Sequence, residues 1–175
     1  MYPMIIVDNI IEDKKVTEIQ NSILNGFFEK APNNIHFESF GIEKTYNDFS
    51  YLSTKIEYNI NLYYKKQILF STGKSIARYT IANFIGRHRD WEPSDPYVIE
   101  NKKPRIDLAS VYYINDDYTG GEICFFKSKD SDRPYLEIKP KAGMCVFFDS
   151  SVYHETRPII SGEKYSYTTF HQLAD

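Results

Sequence analysis

His88-x-Asp90 sets an imidazole and a carboxylate two residues apart, at the end of the stretch 79–90, Tyr-Thr-Ile-Ala-Asn-Phe-Ile-Gly-Arg-His-Arg-Asp. On an extended strand, residues i and i+2 share a face, so the two side chains can converge on one ion. So short a pair also arises by chance, and read alone it is a surface pair at a strand end. Its context adds a second histidine, His154, at the end of a later strand-like run. Lys164 and Ser166 come after it, on one face if that run is extended.

Two imidazoles and one carboxylate on one face of an octahedron leave three positions open, the facial triad of non-haem Fe(II) oxygenases. Such a site needs neutral histidines and an ionised aspartate. The open positions admit a bidentate 2-oxo acid and then dioxygen. A dicarboxylate co-substrate would also need a cation for its far end, which Lys164 supplies with a hydroxyl from Ser166. Tyr79 and Tyr113 can add phenol hydrogen bonds. The same ligands fit a zinc hydrolase with an open position, for which Glu92 or Glu155 is the available base. They also fit a non-enzymatic β-sandwich module that holds metal structurally or not at all. Lys164, ten residues past the second histidine, is the feature that a structural metal site does not need.

The remaining composition bounds these choices. With 175 residues the chain suits one domain, residues 1–175, and can bury a real core. Its formal net charge of −3 argues against nucleic acid as a partner. Residues 1–8 lack the basic start of a signal peptide, and no apolar run reaches membrane-spanning length, so a cytoplasmic location is expected. Cys124 and Cys145 sit in apolar runs without metal spacing and read as buried free thiols, which suits a reducing compartment.

The elements that must position the site follow from periodicity. Ile5-Ile6-Val7 predicts a first strand. Asp13 can cap a helix over about 14–28, with Val16, Ile19, Ile23, Leu24 and Phe27 on one face. Residues 31–46 read as irregular, with a turn at Pro32-Asn33-Asn34 and a loop histidine, His36. Asn47 or Asp48 can cap a second helix along Phe49, Leu52, Ile56, Ile60 and Tyr63, with Gly73 ending the pattern. From residue 75 the chain becomes strands: 75–84, 105–114, 122–127, 135–139, 143–148, 151–154 and 164–171, punctuated by Gly and Pro. Seven or eight such strands suggest a sandwich or jelly roll with two helices laid on one sheet. Residues 91–104 form the long loop that leaves the ligand pair.

From about residue 79 to 170 the chain resembles the prolyl 4-hydroxylase-like Fe(II)/2-oxoglutarate dioxygenases. The features run in order: Tyr79, His88 and Asp90, then Arg105 with Tyr113-Ile114-Asn115, Gly120-Gly121-Glu122 and Pro140-Lys141-Ala142-Gly143. His154-Glu155, Pro158, Gly162 and Lys164 complete the set. The resemblance implies a mainly β fold, a double-stranded β-helix (jelly roll, cupin-like) of residues 75–175 buttressed by an N-terminal strand and helices in 1–74. It implies His88, Asp90 and His154 as iron ligands and Lys164 as the 2-oxoglutarate anchor, with Tyr79, Tyr113 and Ser166 beside it. It also implies Fe(II), 2-oxoglutarate and dioxygen as cofactor and co-substrates, with ascorbate as a candidate reductant. Asp90 argues against halogenation, because related halogenases lack this carboxylate. The expected reaction is hydroxylation of a C–H bond, with a peptidyl proline as the favoured substrate and a free amino acid or small metabolite as alternatives. Tyr112 is expected in the core opposite Tyr113, and His171 as a satisfied buried or surface histidine. Arg105 reads as structural or as part of the substrate mouth, and Trp91 as stacking on substrate or merely packed.

Overall fold

Short β-branched and aromatic runs closed by Gly, Pro or Asp fold as strands, and the two 3.6-residue patterns fold as helices. The structure, a computed structural model, describes residues 1–24, 26–31, 39–45, 49–94, 96–100 and 102–175. In chain order it contains β1 (Ile5–Val7), α1 (Asp13–Leu24), β2 (Glu29–Lys30), β3 (Ser39–Phe40), β4 (Glu43–Thr45) and α2 (Ser50–Tyr64). Then follow β5 (Ile68–Tyr79), β6 (Phe84–His88), α3 (Pro96–Glu100), β7 (Leu108–Tyr113) and β8 (Thr119–Gly120). The chain continues with β9 (Ile123–Phe126), β10 (Leu136–Ile138), β11 (Cys145–Asp149), β12 (Tyr153–Thr156), β13 (Ile159–Ser161) and β14 (Lys164–Leu173).

Two antiparallel sheets face each other. The major one has the order β1-β11-β7-β14-β5-β4-β2, the minor one β10-β9-β12-β6-β3, and β13-β8 form a separate pair. From β5 onward the chain passes back and forth between the two: β5 major, β6 minor, β7 major, β9 and β10 minor, β11 major, β12 minor, β14 major. That path is the double-stranded β-helix expected from the motif order.

Alternation decides what each strand gives to either side. On β14, Lys164, Ser166, Thr168 and Phe170 face the space between the sheets, while Tyr165 and Tyr167 turn to the helices. Tyr113 lies in the inner cluster and Tyr112 in the outer one, as expected. Val16, Ile19 and Ile23 of α1 and Leu52, Ile56 and Ile60 of α2 cover the outer face, packing on Tyr112, Phe147 and Tyr167. Two polar contacts fix the helices there. The Ser53 and Tyr167 hydroxyls share a 2.7 Å hydrogen bond, and Gln20 Nε2 donates to the Ile114 carbonyl at 2.8 Å. No helix among the described residues is long and apolar enough to cross a membrane.

Several elements depart from the periodic reading. Helix α1 ends at Leu24, just before Gly26, so Phe27 lies beyond it and is 78% exposed. Helix α2 stops at Lys65, which takes a left-handed conformation and donates its N–H to the Asn61 carbonyl. Gly73 ends no helix; it lies inside β5 with φ +90°, and a Cβ there would come within 2.9 Å of the Phe170 ring. It sits where β5 and β14 shift register, between Thr168 and Phe170. A glycine that looks like a stop signal is therefore a bulge in a long strand. Strand β5 crosses residue 74, so the supporting part and the β-helix share one sheet. The run 75–84 breaks at residues 80–83, where Asn83 Oδ1 accepts from the Thr80 N–H at 2.9 Å and Ala82 has φ 67°. Residues 31–46, read as irregular, contribute β3 and β4. His36, the Pro32-Asn33-Asn34 turn and the Asn47 or Asp48 cap lie outside the described residues.

Because Ile56 is wholly buried between α2 and the outer face, Ile56→Ala is expected to lower the unfolding free energy by about 3 kcal/mol. Urea denaturation checks this, with the midpoint falling and the slope unchanged.

Candidate metal centre and active-site cavity

His88 and His154 are direct cross-strand neighbours on β6 and β12. The register that pairs them is irregular: β6 spends three steps between Ile85 and His88 where β12 spends two between Thr156 and His154. The extra residue reverses the parity of β6, so that Ile85 and His88, an odd number apart, both face the cavity. Asp90 lies beyond the end of β6 rather than on it. Its N–H donates to the Ser150 carbonyl at 3.0 Å, in the turn between β11 and β12, and this bond swings the carboxylate back to the histidines.

The three side chains meet. His88 Nε2 is 3.4 Å from Asp90 Oδ1 and His154 Nε2 is 3.7 Å from Asp90 Oδ2. One ligand atom from each lies within 4.8 Å of the others. His88 Nδ1 is 2.8 Å from the Gly86 carbonyl, and His154 Nδ1 is 3.0 Å from that of Val152. A carbonyl only accepts, so each Nδ1 carries the proton and each Nε2 turns its lone pair to the common centre. Burial pushes the His154 pKa down to about 4, with Asp90 opposing. Burial works to raise the Asp90 pKa, but His154 and His88 outweigh it and hold the carboxyl below its ordinary value. Neutral imidazoles and an ionised carboxylate are the states a divalent ion requires. Asp90 Oδ2 is buried without a hydrogen-bond partner among the described residues, so the donor set fits a divalent cation.

Behind this centre a cavity of about 540 Å³ runs between the sheets. Lys164 lies on its wall, 1% exposed, with its ammonium 4.7 Å from the Tyr79 ring centroid and 5.1 Å from that of Tyr113. Its Nζ donates to the Gly121 carbonyl at 3.0 Å. Gly121 has φ +70°, and a Cβ there would meet Ile159 at 2.6 Å and the Lys164 stem at 3.2 Å, so only glycine fits beside this lysine. The Tyr113 and Ser166 hydroxyls are buried on the same wall without partners. Burial raises the Tyr79 pKa to about 12, with Ser166 opposing, so the phenol stays a neutral donor. A lysine ringed by unsatisfied hydroxyls is a wall prepared for an anion.

The structure thus brings together His88, Asp90, His154, Lys164, Tyr79, Tyr113 and Ser166 around one cavity. It separates others from it. Arg105 binds Asp107, Asp175 and the Leu173 carbonyl and is structural. His171 is buried in a polar cluster with Ser71, Ser110 and Thr169. Both cysteines are free and buried. Glu155 does not line the cavity and pairs with Arg87 and Arg157, while Glu92 lines it tied to Arg89 at 2.9 Å, so neither is a free general base. Trp91 lines the cavity with its indole N–H buried and unpartnered. Sequence reasoning missed Lys44, Phe70 and Phe170, which also line it. Lys44 and Phe70 fall on strands hidden by the irregular segment and by Gly73; the alternation Ile42-Glu43-Lys44 was the available signal.

Burial lowers the Lys164 pKa from 10.5 to about 7, with Glu122 opposing. Between these values the unfolded chain holds a proton that the folded chain lacks, so this residue makes stability rise with pH over that window. In metal-free protein, the difference in unfolding free energy between wild type and Lys164→Met is therefore expected to depend on pH, the wild type gaining relative to the variant from pH 7 towards 10. Chemical denaturation at a series of pH values measures the difference.

The comparisons agree with this geometry. No curated protein sequence matches the chain. Among solved structures, the Trichoplax adhaerens prolyl hydroxylase in complex with a hypoxia inducible factor peptide fragment aligns with TM-score 0.72 and 18% identity, over 96% of this chain and 82% of that one. A Pseudomonas putida prolyl-4-hydroxylase aligns with TM-score 0.71 and 20% identity, over 98% and 93%. The viral collagen prolyl hydroxylase of Paramecium Bursaria Chlorella virus-1, in its 2OG complex, aligns with TM-score 0.66 and 19% identity, over 96% and 94%. At these identities the likeness is one of fold. The family profile of the 2OG-Fe(II) oxygenase superfamily matches residues 75–172, so the chain belongs to that superfamily and is a dioxygenase that works with Fe(II), 2-oxoglutarate and dioxygen.

Proposed function

We propose that the protein hydroxylates a proline within a peptide, with His88, Asp90 and His154 holding the iron. The observation that carries this reading is the convergence of two Nε2 lone pairs and an orphaned carboxylate oxygen at the head of a cavity. Lys164 is the cation for the far carboxylate of 2-oxoglutarate, with the Tyr113 and Ser166 hydroxyls and the Tyr79 phenol as its hydrogen-bonding neighbours. Bound together, iron and 2-oxoglutarate would activate dioxygen, one oxygen atom going to the substrate C–H bond as C–OH and the other to the succinate left when 2-oxoglutarate loses carbon dioxide.

The chain's own residues do the rest. The Gly86 and Val152 carbonyls hold the two imidazoles in the metal-binding tautomer. Ile123 and Phe148 wall the centre from water. The cavity opens to solvent at Phe70, Lys103 and Pro104, all exposed, with Trp91 and Val98 nearby. An apolar, aromatic mouth on a cavity of this size leaves room for a pyrrolidine ring to enter beside the co-substrate. The peptide-bound Trichoplax relative supports a peptide as substrate. Ascorbate fits as a reductant that keeps the iron ferrous, and the buried free thiols suit the cytoplasm.

Anaerobic titration of the metal-free protein with Fe(II) and then 2-oxoglutarate tests the assignment. A weak visible charge-transfer band is expected only when both are present. His154→Ala should abolish it, and Lys164→Met should raise the 2-oxoglutarate needed by about ten-fold or more, the loss of one charge-assisted contact. Tight metal binding with no band in wild type would overturn the reading.

A further inference from the structure

Strand β4 adds a second buried-side lysine to the cavity. Glu43 and Lys44 point to opposite faces: Glu43 pairs with Arg78 at 3.1 Å, while Lys44 lines the cavity. In the sheet, Lys44 stands opposite Ala77 on β5, and Ala77 stands opposite Ser166 on β14. The three residues form one row on the inner face, and all three line the cavity. Glu29, its cross-strand neighbour on β2, is exposed and makes no ion pair with it among the described residues. Burial alone lowers the Lys44 pKa.

The charge around the cavity is unbalanced. Among the described residues, Lys44, Arg89 and Lys164 line it with Asp90 and Glu92, although the whole chain is net negative. An Fe(II) dication and a 2-oxoglutarate dianion cancel each other, so loading the site leaves the excess in place. Arg89 is already tied to Glu92, and Lys164 is engaged by the co-substrate. We propose that Lys44 forms a second anion position, which takes a carboxylate of the primary substrate and makes the enzyme select proline substrates with an acidic group near the target ring. This rests on the cavity being the Fe(II)/2-oxoglutarate site. The carboxylate can come from an acidic side chain of a peptide or from the α-carboxylate of free proline.

Trp91, the only tryptophan of the chain, lines the same cavity and reports occupancy by its fluorescence. Protein loaded anaerobically with Fe(II) and 2-oxoglutarate is titrated with short proline peptides in which one Glu is walked across the flanking positions. Matched Gln and Lys peptides and free L-proline complete the set. At one position or more, Glu peptides are expected to bind about ten-fold tighter than their Gln partners. If the acidic preference belongs to free L-proline over its amide instead, the carboxylate is the amino acid's own. Lys44→Met should erase the preference, Lys44→Arg should keep it, and Lys44→Glu should turn it towards the Lys peptides. Equal binding of Glu and Gln peptides together with equal binding of proline and its amide, or a preference that survives Lys44→Met, overturns the proposal. The visible band in the same sample separates the two readings. If wild type lacks it, the iron and 2-oxoglutarate assignment fails; if only Lys44→Met loses it, Lys44 serves the co-substrate and the proposal fails.

Discussion

The site depends on one irregular pairing, that of β6 with β12. Two ideal strands would set Ile85 and His88 on opposite faces, and one of the two would be lost to the inner wall. The extra residue in β6 lets an apolar side chain and a metal-binding side chain share that wall, and it brings His88 directly opposite His154. Everything else in the centre is hung on this register. The i−2 carbonyls that fix each imidazole belong to the same two strand ends. Asp90 follows because the next residues are caught by the Ser150 carbonyl.

A second constraint is desolvation. The cavity holds a lysine whose charge burial disfavours, beside two unpartnered hydroxyls and an orphaned carboxylate oxygen. A folded chain tolerates such groups only where the rest of the core is well closed. Here two outer helices and an inner cluster of Phe125, Val146 and Phe148 supply that closure. The arrangement that weakens the empty protein is the one that makes it receptive to a dication and a dianion.

Much of this was legible in the residue order. The spacing of His88, Asp90, His154 and Lys164 pointed to one centre, and alternation separated Tyr112 from Tyr113. What escaped were features governed by tertiary pairing. Gly73 obeys the rule for a helix end, yet its positive φ serves a bulge against Phe170. Lys44 sits in a strand of three residues, whose brief alternation is too short to single it out, and it is a strand because it pairs with β5. Asp90 was expected on the strand of His88 and instead reaches the centre by a turn, which no spacing rule distinguishes from extension.

The position of β14 has a bearing on how the molecule comes into being. It is the last strand of the two sheets to be synthesised, yet it lies in the middle of the major one, paired with β5 on one side and β7 on the other. Until it emerges from the ribosome, β5 and β7 have open edges and the wall that carries Lys164 and Ser166 does not exist. The lysine-bearing wall of the cavity and the core are thus completed in the same late event. A nascent chain stalled before β14 would present two aromatic-rich strands with nothing between them, a species for chaperones rather than a half-built enzyme.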